Sequence, residues 1–130
     1  MLQRGVEAFN ARDLETFFAC FDPNVVHHNR EDEPEVRVYE GFEAFKGYAE
    51  TWLEAFEDLR IEVREWVDLG DQVIEVAELR GRGSATGAPV EGSYVFLWLM
   101  RDGRIIEGRE YATKEEALEV ARQREVNADA

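Results

Sequence analysis

Cysteine and long apolar runs are scarce in this chain of 130 residues. Cys20 is its only cysteine, so we expect neither a disulfide framework nor a thiolate zinc site. No apolar run approaches the roughly 20 residues that a membrane-spanning helix needs. The opening segment MLQRGVEAF lacks the apolar core of a signal peptide. We therefore predict a cytoplasmic protein that has no membrane partner.

Basic residues are heavily outnumbered by acidic ones. The chain has 15 Lys and Arg against 29 Asp and Glu, which gives a net charge of −14 at pH 7. Nucleic acid binding relies on basic side chains that neutralise phosphates, so nucleic acid is excluded as an expected partner. Anionic membrane surfaces are excluded for the same reason, and the charge mainly favours solubility.

Large aromatic side chains are plentiful, with eight Phe, four Tyr and three Trp. Several of them fall in residues 90–113, which predict two β-strands joined by a turn at Asp102-Gly103, a strong hairpin signal. Positions 94–100 are apolar on both parities, which is typical of a central strand covered on both faces. One of these parities carries Tyr94, Phe96 and Trp98.

The second arm of this hairpin carries charge, and Glu110 is its most informative residue. Side chains alternate along a strand, so Glu110 shares one face with Gly108 and Ala112, which are both small. A carboxylate flanked by small residues on a covered sheet is placed to point into a cavity. In an apolar cavity such a group suits proton transfer near neutral pH. The simpler alternative is a surface glutamate, or one paired with Arg80 or Arg109.

The spacing of apolar residues predicts the order of the elements along the chain. They are helices over residues 2–11 and 14–21, a strand over 25–29, a charged loop over 30–40, a helix over 41–56, strands over 59–69 and 72–82, the hairpin, and a last helix. The apolar positions of the strand over 59–69 are expected on one face. Thr113 and Glu116 form a capping box at the start of the last helix. Helices segregated from an antiparallel sheet define an α+β fold.

The predicted sheet has two apolar faces, and the helices are expected to cover only one of them. A second copy of the chain is the simplest cover for the other face, so we predict a homodimer packed through the outer face of the sheet. Residues 1–130 are expected to form one domain, because a chain of this length supports one core.

Three segments in this order resemble the SnoaL-like domains of the nuclear-transport-factor-2-like superfamily. They are EAFNARDLETFFACFDPNVVHHN, YEGFEAFKGYAETWLEAFEDLRIEV and FLWLMRDGRIIEGREYATKEEALEVA, which together extend over nearly the whole chain. The resemblance implies a curved antiparallel sheet wrapped around a long helix into a cone, with an internal pocket for small, largely apolar molecules. Ketosteroid isomerases, polyketide cyclases and limonene-type epoxide hydrolases share this fold, so the fold alone does not determine a reaction.

The resemblance also implies a set of site residues. Glu110 falls where the cyclases and epoxide hydrolases place a pocket aspartate on the last strand, and it is one methylene longer. His27 and Asn29 fall where those hydrolases place a tyrosine and an asparagine that help to hold the attacking water. An alternative for His27 is a half-buried histidine bonded to a neighbouring group. The strand face that lines the pocket in such folds carries Tyr94, Phe96 and Trp98.

Glu78, Arg80 and Trp52 complete the candidate site. Epoxide hydrolases use an Arg-x-Asp pair on a middle strand, and Glu78 with Arg80 is its nearest counterpart, in reversed order. These two charges form either a buried pair that orients Glu110 or a ligand, or a cross-strand ion pair on a solvated sheet. Trp52 either lines the cavity or packs in the core. Ketosteroid isomerases place a base carboxylate where this chain has Asn29, which disfavours steroid isomerisation.

Three functions are consistent with these residues. The first is a cofactor-independent isomerase, cyclase or epoxide hydrolase, in which Glu110 moves a proton while His27 and Asn29 orient water or a substrate oxygen. The second is a non-catalytic module that binds a small apolar metabolite. The third is a dimerising scaffold whose own side chains fill the cavity. None of them requires a metal or a cofactor.

Overall fold

The computed structural model describes residues 1–30 and 37–129 of the chain. The helices are α1 (Leu2–Asn10), α2 (Leu14–Phe18), α3 (Phe42–Ala55) and α4 (Lys114–Asp129). The strands are β1 (Phe21–His28), β2 (Val38–Glu40), β3 (Phe56–Asp68), β4 (Gln72–Gly83), β5 (Pro89–Arg101) and β6 (Arg104–Tyr111). The predicted charged loop falls largely on positions 31–36, outside the described residues, and its last part is β2. In the described part of the chain, no helix has both the length and the apolar character needed to cross a bilayer.

The six strands form one sheet in the order β2-β1-β6-β5-β4-β3. All neighbours run antiparallel except β1 and β6, which are parallel. Helix α3 packs against β1 and β2 at one edge of the sheet and against β3 at the other. Side chains of α3 also reach the middle strands, where Trp52 contacts Tyr94 of β5 and Tyr48 donates to Glu110 of β6. Helix α3 therefore lies on the concave side of the curved, unclosed sheet. This arrangement confirms the predicted α+β fold.

Two local signals in the sequence are confirmed. Asp102 and Gly103 have φ angles of +52° and +76°, and positive φ at both central residues is what a two-residue hairpin turn of this kind requires. At the start of α4, the Thr113 hydroxyl accepts a hydrogen bond of 3.3 Å from the backbone N–H of Glu116. The same hydroxyl donates to the Glu116 carboxylate at 3.0 Å, and these bonds fix the beginning of the helix.

Strand β1 begins earlier than the sequence predicts. Helix α2 ends at Phe18 rather than at Phe21, and β1 starts at Phe21 rather than at residue 25. The pairing of β1 with β6 is interrupted between Phe21 and Val26. Pro23 lies within this interruption, where its missing N–H removes no bond from the ladder. The proline that was expected to separate helix from strand is therefore accommodated inside the strand.

Strand β3 does not keep its apolar residues on one face, so that prediction is wrong. Its register against β4 shifts between Val63 and Glu65, which places one extra residue in β3. Before this bulge, Ile61 lines the inside of the curved sheet. Beyond it, Val67 packs on the outside against the cluster that contains Ile74. An extra residue reverses the side-chain parity, so one apolar stripe in the sequence serves two faces.

Apolar side chains form two clusters, one on each face of the sheet. The inner cluster contains Phe18, Cys20, Phe21, Val25, Phe45, Trp98 and Ile105. The outer cluster packs Ile74, Val95 and Leu97 of the sheet against Ala117 and Ala121 of α4. The last helix of the chain therefore covers an apolar part of the outer face, for which the sequence analysis predicts a second copy. Dimerisation through this face stays a prediction.

Helix α1 and the turn after it protect the free edge of β3. The Asn10 side chain donates to the Ile61 carbonyl at 2.9 Å and accepts from the Ile61 N–H at 2.8 Å. Arg12 donates to the Leu59 carbonyl at 2.6 Å. These are the bonds that another strand would make, so this part of the edge cannot pair with a second chain.

Candidate functional site

Two buried carboxylates face the inside of the sheet from either side of Phe96. Phe96 on β5 lies opposite Glu75 on β4 and opposite Glu110 on β6. Because neighbouring strands are about 4.8 Å apart, the Cα atoms of the two glutamates are separated by roughly 10 Å. Glu75 is 3% exposed and Glu110 is 5% exposed. The sheet register therefore places two acid groups across one aromatic ring.

Glu110 is held by hydrogen bonds from two other elements. The parallel pairing of β1 with β6 brings His27 beside it, and His27 Nε2 lies 2.5 Å from Glu110 Oε2. The Tyr48 hydroxyl of α3 donates to the same carboxylate, at 2.9 Å to Oε2 and 3.1 Å to Oε1. The His27 ring packs among Phe45, Tyr48 and Trp98. Shielding from water strengthens each of these polar contacts.

The other ring nitrogen of His27, Nδ1, indicates which group carries the proton of the hydrogen bond between His27 Nε2 and Glu110 Oε2. Nδ1 is buried and has no hydrogen-bond partner among the described residues. A Cβ added to Gly108 would lie 2.6 Å from Nδ1 and 2.5 Å from the Trp98 ring, so no further polar group fits there. An unpaired buried N–H is rarer in proteins than an unused lone pair. This favours a neutral His27 that donates its Nε2 proton to an ionised Glu110.

Oε1 of Glu110 is then the carboxylate atom that remains available to a ligand. Oε2 receives both the His27 bond and the shorter of the two Tyr48 contacts. Oε1 receives only the longer Tyr48 contact from the described groups. His27 thus stabilises the carboxylate, and the predicted role of His27 in orienting water or a substrate oxygen is not supported by this geometry.

Glu75 lies on the other side of Phe96 in a different environment. Its Oε1 accepts a hydrogen bond of 2.9 Å from Trp98 Nε1. Burial raises the pKa of Glu75 to about 7, and the bond from Trp98, which favours the ionised form, offsets only part of this effect. Near neutral pH a large fraction of Glu75 is therefore a neutral carboxylic acid, which can donate a proton or a hydrogen bond.

The two carboxylates border a cavity of about 110 Å³ between α1, α3 and the inner face of the sheet. A cavity of about 150 Å³ engineered in another protein binds benzene, so this one admits a small ligand of similar scale. Its wall is mainly aromatic and aliphatic, as small-molecule sites usually are. No three His, Cys, Asp or Glu side chains of the described residues are grouped as metal ligands. The apolar wall includes Phe9, Phe45, Trp52, Leu79, Tyr94 and Phe96.

Most of the predicted site residues come together around this cavity. Those that line it are His27, Trp52, Tyr94, Phe96, Trp98 and Glu110. Asn29 is buried but is not among the described lining residues. Its Oδ1 accepts a hydrogen bond of 2.8 Å from the backbone N–H of Arg37. The prediction that Asn29 orients water or substrate is therefore corrected, because its carbonyl oxygen is bonded to the backbone.

Glu78 and Arg80 lie on the outer face of the sheet, so the prediction that they orient Glu110 or a ligand is wrong. Glu78 Oε2 accepts hydrogen bonds from Arg64 at 2.9 Å and from Arg80 at 3.2 Å. The Glu78 side chain is 27% exposed and that of Arg80 is 47% exposed. Their parity on β4 is opposite to that of Glu75. These residues are the solvated ion pair of the alternative interpretation, which contributes little to stability.

Sequence reasoning missed Glu75 and the hydrogen bonds of Tyr48. The available signal for Glu75 was a single charge inside positions 73–77, which are otherwise apolar. Its partner Trp98 is 23 residues away and is reached only through the sheet register. Tyr48 falls on the apolar stripe of α3, and the sequence does not indicate that its hydroxyl reaches the last strand.

A curved, unclosed six-stranded sheet with helices defines the α+β fold of the nuclear-transport-factor-2-like and ketosteroid-isomerase-like proteins. Within this class, the chain belongs to the family of SnoaL-like domains, whose profile matches residues 2–108. Among curated protein sequences, none is detectably similar to the chain.

Solved structures with a similar fold come from several bacteria. IdmH of Streptomyces antibioticus, a candidate polyketide cyclase, is 28% identical, with 84% of this chain and 86% of IdmH covered and a TM-score of 0.70. A candidate SnoaL-like polyketide cyclase from Jannaschia is 23% identical, with coverage of 92% and 86% and a TM-score of 0.73. An NTF2-like protein from Burkholderia thailandensis is 19% identical, with coverage of 93% and 92% and a TM-score of 0.75.

Proposed function

We propose that the chain is a small-molecule enzyme that moves protons between carbon and oxygen by general acid–base catalysis. The observation that carries this proposal is that Glu110, held by hydrogen bonds from His27 and Tyr48, and a largely neutral Glu75 lie on two sides of one cavity. Pairs of carboxyl groups whose environments favour different protonation states are typical of acid and base roles. The likeness to candidate polyketide cyclases supports chemistry of this kind.

Glu110 Oε1 is the base in this proposal, and the substrate is a small, largely apolar carbonyl compound. Oε1 takes a proton from a carbon next to the carbonyl group. The C–H electron pair forms a C=C bond while the carbonyl oxygen takes a proton from Glu75, which gives an enol. Where a C=C bond is conjugated with the enol, Glu110 returns its proton to the far carbon of that bond while the enol O–H returns its proton to Glu75, which completes an isomerisation. Alternatively, the enol carbon attacks a second carbonyl group of the substrate and the new C–C bond closes a ring. The enol O–H then returns its proton to Glu75, and the new alkoxide oxygen takes the proton held by Glu110.

His27 and Tyr48 prepare Glu110 for this step without contacting the reacting carbon. Their hydrogen bonds come from two different elements and fix the orientation of the carboxyl group. The apolar wall keeps bulk water away from the enol, which limits competing proton transfer. The sequence of steps needs no cofactor.

A binding module without catalysis is the second candidate function. The cavity volume supports an enzyme or a binder over a scaffold, because an interior filled by side chains leaves no room for several non-hydrogen atoms. Two buried carboxyl groups favour the enzyme over the binder. A store for an apolar molecule gains nothing from them, and their burial costs stability.

Cyclohexanone is a suitable probe, since it is close to benzene in size and has exchangeable hydrogens next to its carbonyl group. Proton NMR in D₂O follows the replacement of these hydrogens by deuterium. We expect the protein to accelerate the exchange above the rate in buffer. Glu110→Gln keeps the shape of the side chain and removes the base, so it should lose about 10²- to 10⁴-fold of the acceleration.

Glu91→Gln is the matched control for this experiment. Glu91 lies on β5, is 61% exposed and pairs with Arg80 on the outer face, so its loss should leave the exchange rate unchanged. Binding of cyclohexanone without faster exchange would reject the enzyme and favour the binding module. Equal exchange rates in the wild type and in Glu110→Gln would reject the assignment of Glu110 as the base.

A further inference from the structure

We propose that Trp98 is a positioning residue of the acid–base site, and that its indole N–H determines which oxygen of Glu75 carries the acidic proton. Glu75 is the acid of the proposed function, on which the role of Trp98 therefore rests. The acid–base proposal leaves open what orients this acid. Trp98 acts through Glu75 and not on the reacting carbon.

The first support is the hydrogen-bond chemistry of the two side chains. An indole N–H donates and does not accept, so Glu75 Oε1, which lies 2.9 Å from Trp98 Nε1, has to be the acceptor. The proton of the neutral carboxyl group is therefore on Oε2. The described residues offer Oε2 no hydrogen bond, and this atom is not sealed inside the protein as His27 Nδ1 is. Because Glu75 lines the cavity, its Oε2–H can donate to a carbonyl oxygen there.

The second support is the tight packing of the Trp98 ring, which is only 8% exposed. It stacks on Phe96 with 5.3 Å between the ring centres, and it meets Phe21 of β1 edge-on at 5.9 Å. On β6, a Cβ added at Gly108 would lie 2.5 Å from the Trp98 ring, so the ring fills the space above this glycine. A donor held in this way has little freedom to move, so the carboxyl group takes its orientation from the donor.

The third support is that the same ring also borders the base. The Trp98 ring lies 5.9 Å from the ring of His27, and His27 is hydrogen-bonded to Glu110. One rigid side chain therefore contacts the acid at its N–H and the partner of the base at its ring. This contact fixes the position of the acid relative to the base, which a two-point proton transfer requires.

The Trp98 bond also makes Glu75 a stronger acid than burial alone would. Burial raises the pKa of Glu75, and the bond from Trp98 opposes this by favouring the ionised form, which leaves the pKa at about 7. In the sheet Glu75 lies between Trp66 of β3 and Phe96 of β5, which carry no charge. The described lining residues from α1, α3 and the sheet include no Lys or Arg. The other titratable groups of the wall are Cys20, His27, Tyr48, Tyr94 and Glu110.

The indole N–H signals of the three tryptophans provide the first test. They are followed by proton–nitrogen correlation NMR of the wild type between pH 5 and pH 9, and are assigned with Trp52→Phe and Trp66→Phe. We expect the Trp98 signal to move with a midpoint near pH 7, as Glu75 ionises. Glu75→Gln keeps the acceptor oxygen and cannot ionise, so this movement should disappear. Glu78→Gln changes the outer face of the same strand and should leave the movement unchanged.

The exchange of cyclohexanone hydrogens in Trp98→Phe provides the second test, because phenylalanine keeps an aromatic ring and removes the N–H. Wild-type acceleration should decline as the pH rises through about 7 and Glu75 loses its proton. Without the bond to the ionised form, this decline should move upward by about one pH unit. We expect kcat to fall about tenfold with little change in KM, because the acid is no longer oriented. Trp66→Phe is the matched control, since Trp66 donates to Gln3 at 3.1 Å and should leave both unchanged.

Each test has a result that would overturn the inference. If the Trp98 signal does not move near pH 7, or moves equally in Glu75→Gln, then Trp98 does not hold the proton-bearing group, and another group such as His27 causes any movement. If Trp98→Phe keeps the wild-type rate and pH dependence, Trp98 does not position the acid, and the proposed function is unaffected.

Failure of the proposed function gives a different pattern. If the wild type does not accelerate the exchange, the catalytic role of Trp98 falls together with the acid–base proposal. The indole titration still shows whether Trp98 is bonded to a titrating Glu75. Because that titration follows Trp98 in chains that contain it, it also decides the case in which Trp98→Phe does not fold.

Discussion

Replacing Glu75 by Gln tests whether this carboxyl group is shielded from water as strongly as the structure indicates. A group whose pKa is raised on folding binds its proton more tightly in the folded state than in the unfolded one. Its contribution to stability is complete below its ordinary value of 4.5 and is lost as the pH rises to about 7. Wild-type stability should therefore fall over this range because of Glu75.

The expected size of the effect follows from the same two values. Each pH unit between 4.5 and about 7 corresponds to about 1.4 kcal/mol, so the folded state loses roughly 3 kcal/mol through this one group. Gln has nearly the same shape, still offers an oxygen to Trp98 Nε1 and cannot ionise. The variant should lack this loss, which corresponds to a melting-temperature difference of roughly 10 °C at pH 8.

The assay is urea unfolding of the wild type and Glu75→Gln at pH 5, 6, 7 and 8. Glu78→Gln is the control, since Glu78 is on the outer face of the same strand. The hydrogen bond from Arg64 lowers the pKa of Glu78, so its stabilising contribution is present at neutral pH and is lost as the pH falls. If the wild type and Glu75→Gln lose stability equally between pH 5 and pH 8, Glu75 is not buried as described.

Three further substitutions, one of them a control, test the packing behind His27 and the edge of β3. Gly108→Ala should cost about 1–3 kcal/mol in denaturant unfolding, because the added Cβ would lie 2.5 Å from the Trp98 ring. A Cβ added at Gly47 of α3 would have no neighbouring atom within 4 Å, so Gly47→Ala should instead stabilise the protein by about 0.5–1 kcal/mol. Equal effects of Gly108→Ala and Gly47→Ala would show that the space beside Gly108 is not crowded. Asn10→Ala leaves the Ile61 backbone groups unpaired, so we expect a loss of about 1–3 kcal/mol and concentration-dependent association in size-exclusion chromatography. A variant as stable as the wild type would show that water replaces the Asn10 bonds without loss.

Part of the inner face of the hairpin is predictable from the sequence, because it depends on local rules. Alternation along β5 is enough to place Phe96 and Trp98 on one face. The turn at Asp102 alone would set Glu110 opposite Val95 on the outer face, and only a shift of register between Leu99 and Met100 brings Glu110 opposite Phe96. The apolar spacing of α3 and the capping box of α4 are equally local. Predicting these elements requires no information on which strands are neighbours in the sheet.

The rest of the site depends on the register between strands that are distant in sequence, and the sequence pattern does not predict this register. The alternation of β4 is apolar on both faces near Glu75, so parity alone does not show which face is the inside. The bulge after Val63 reverses a parity that the sequence presents as unbroken. The inside of β4 is defined only by its pairing with β5. The sequence therefore leaves Glu78 open between a buried pair and a solvated ion pair, and it does not single out Glu75.

The parallel pairing of β1 with β6 has a consequence for how the chain acquires its site during synthesis. His27 and Glu110 are 83 residues apart in sequence, and the strand that joins them is the last one made. Until residues 104–111 leave the ribosome, β1 and β5 each lack a neighbour, and both present unpaired backbone groups. Such incomplete chains are prone to aggregate. The acid–histidine pair is therefore absent from every chain that ends before β6, and a truncation at that point removes the site and leaves two sheet edges exposed.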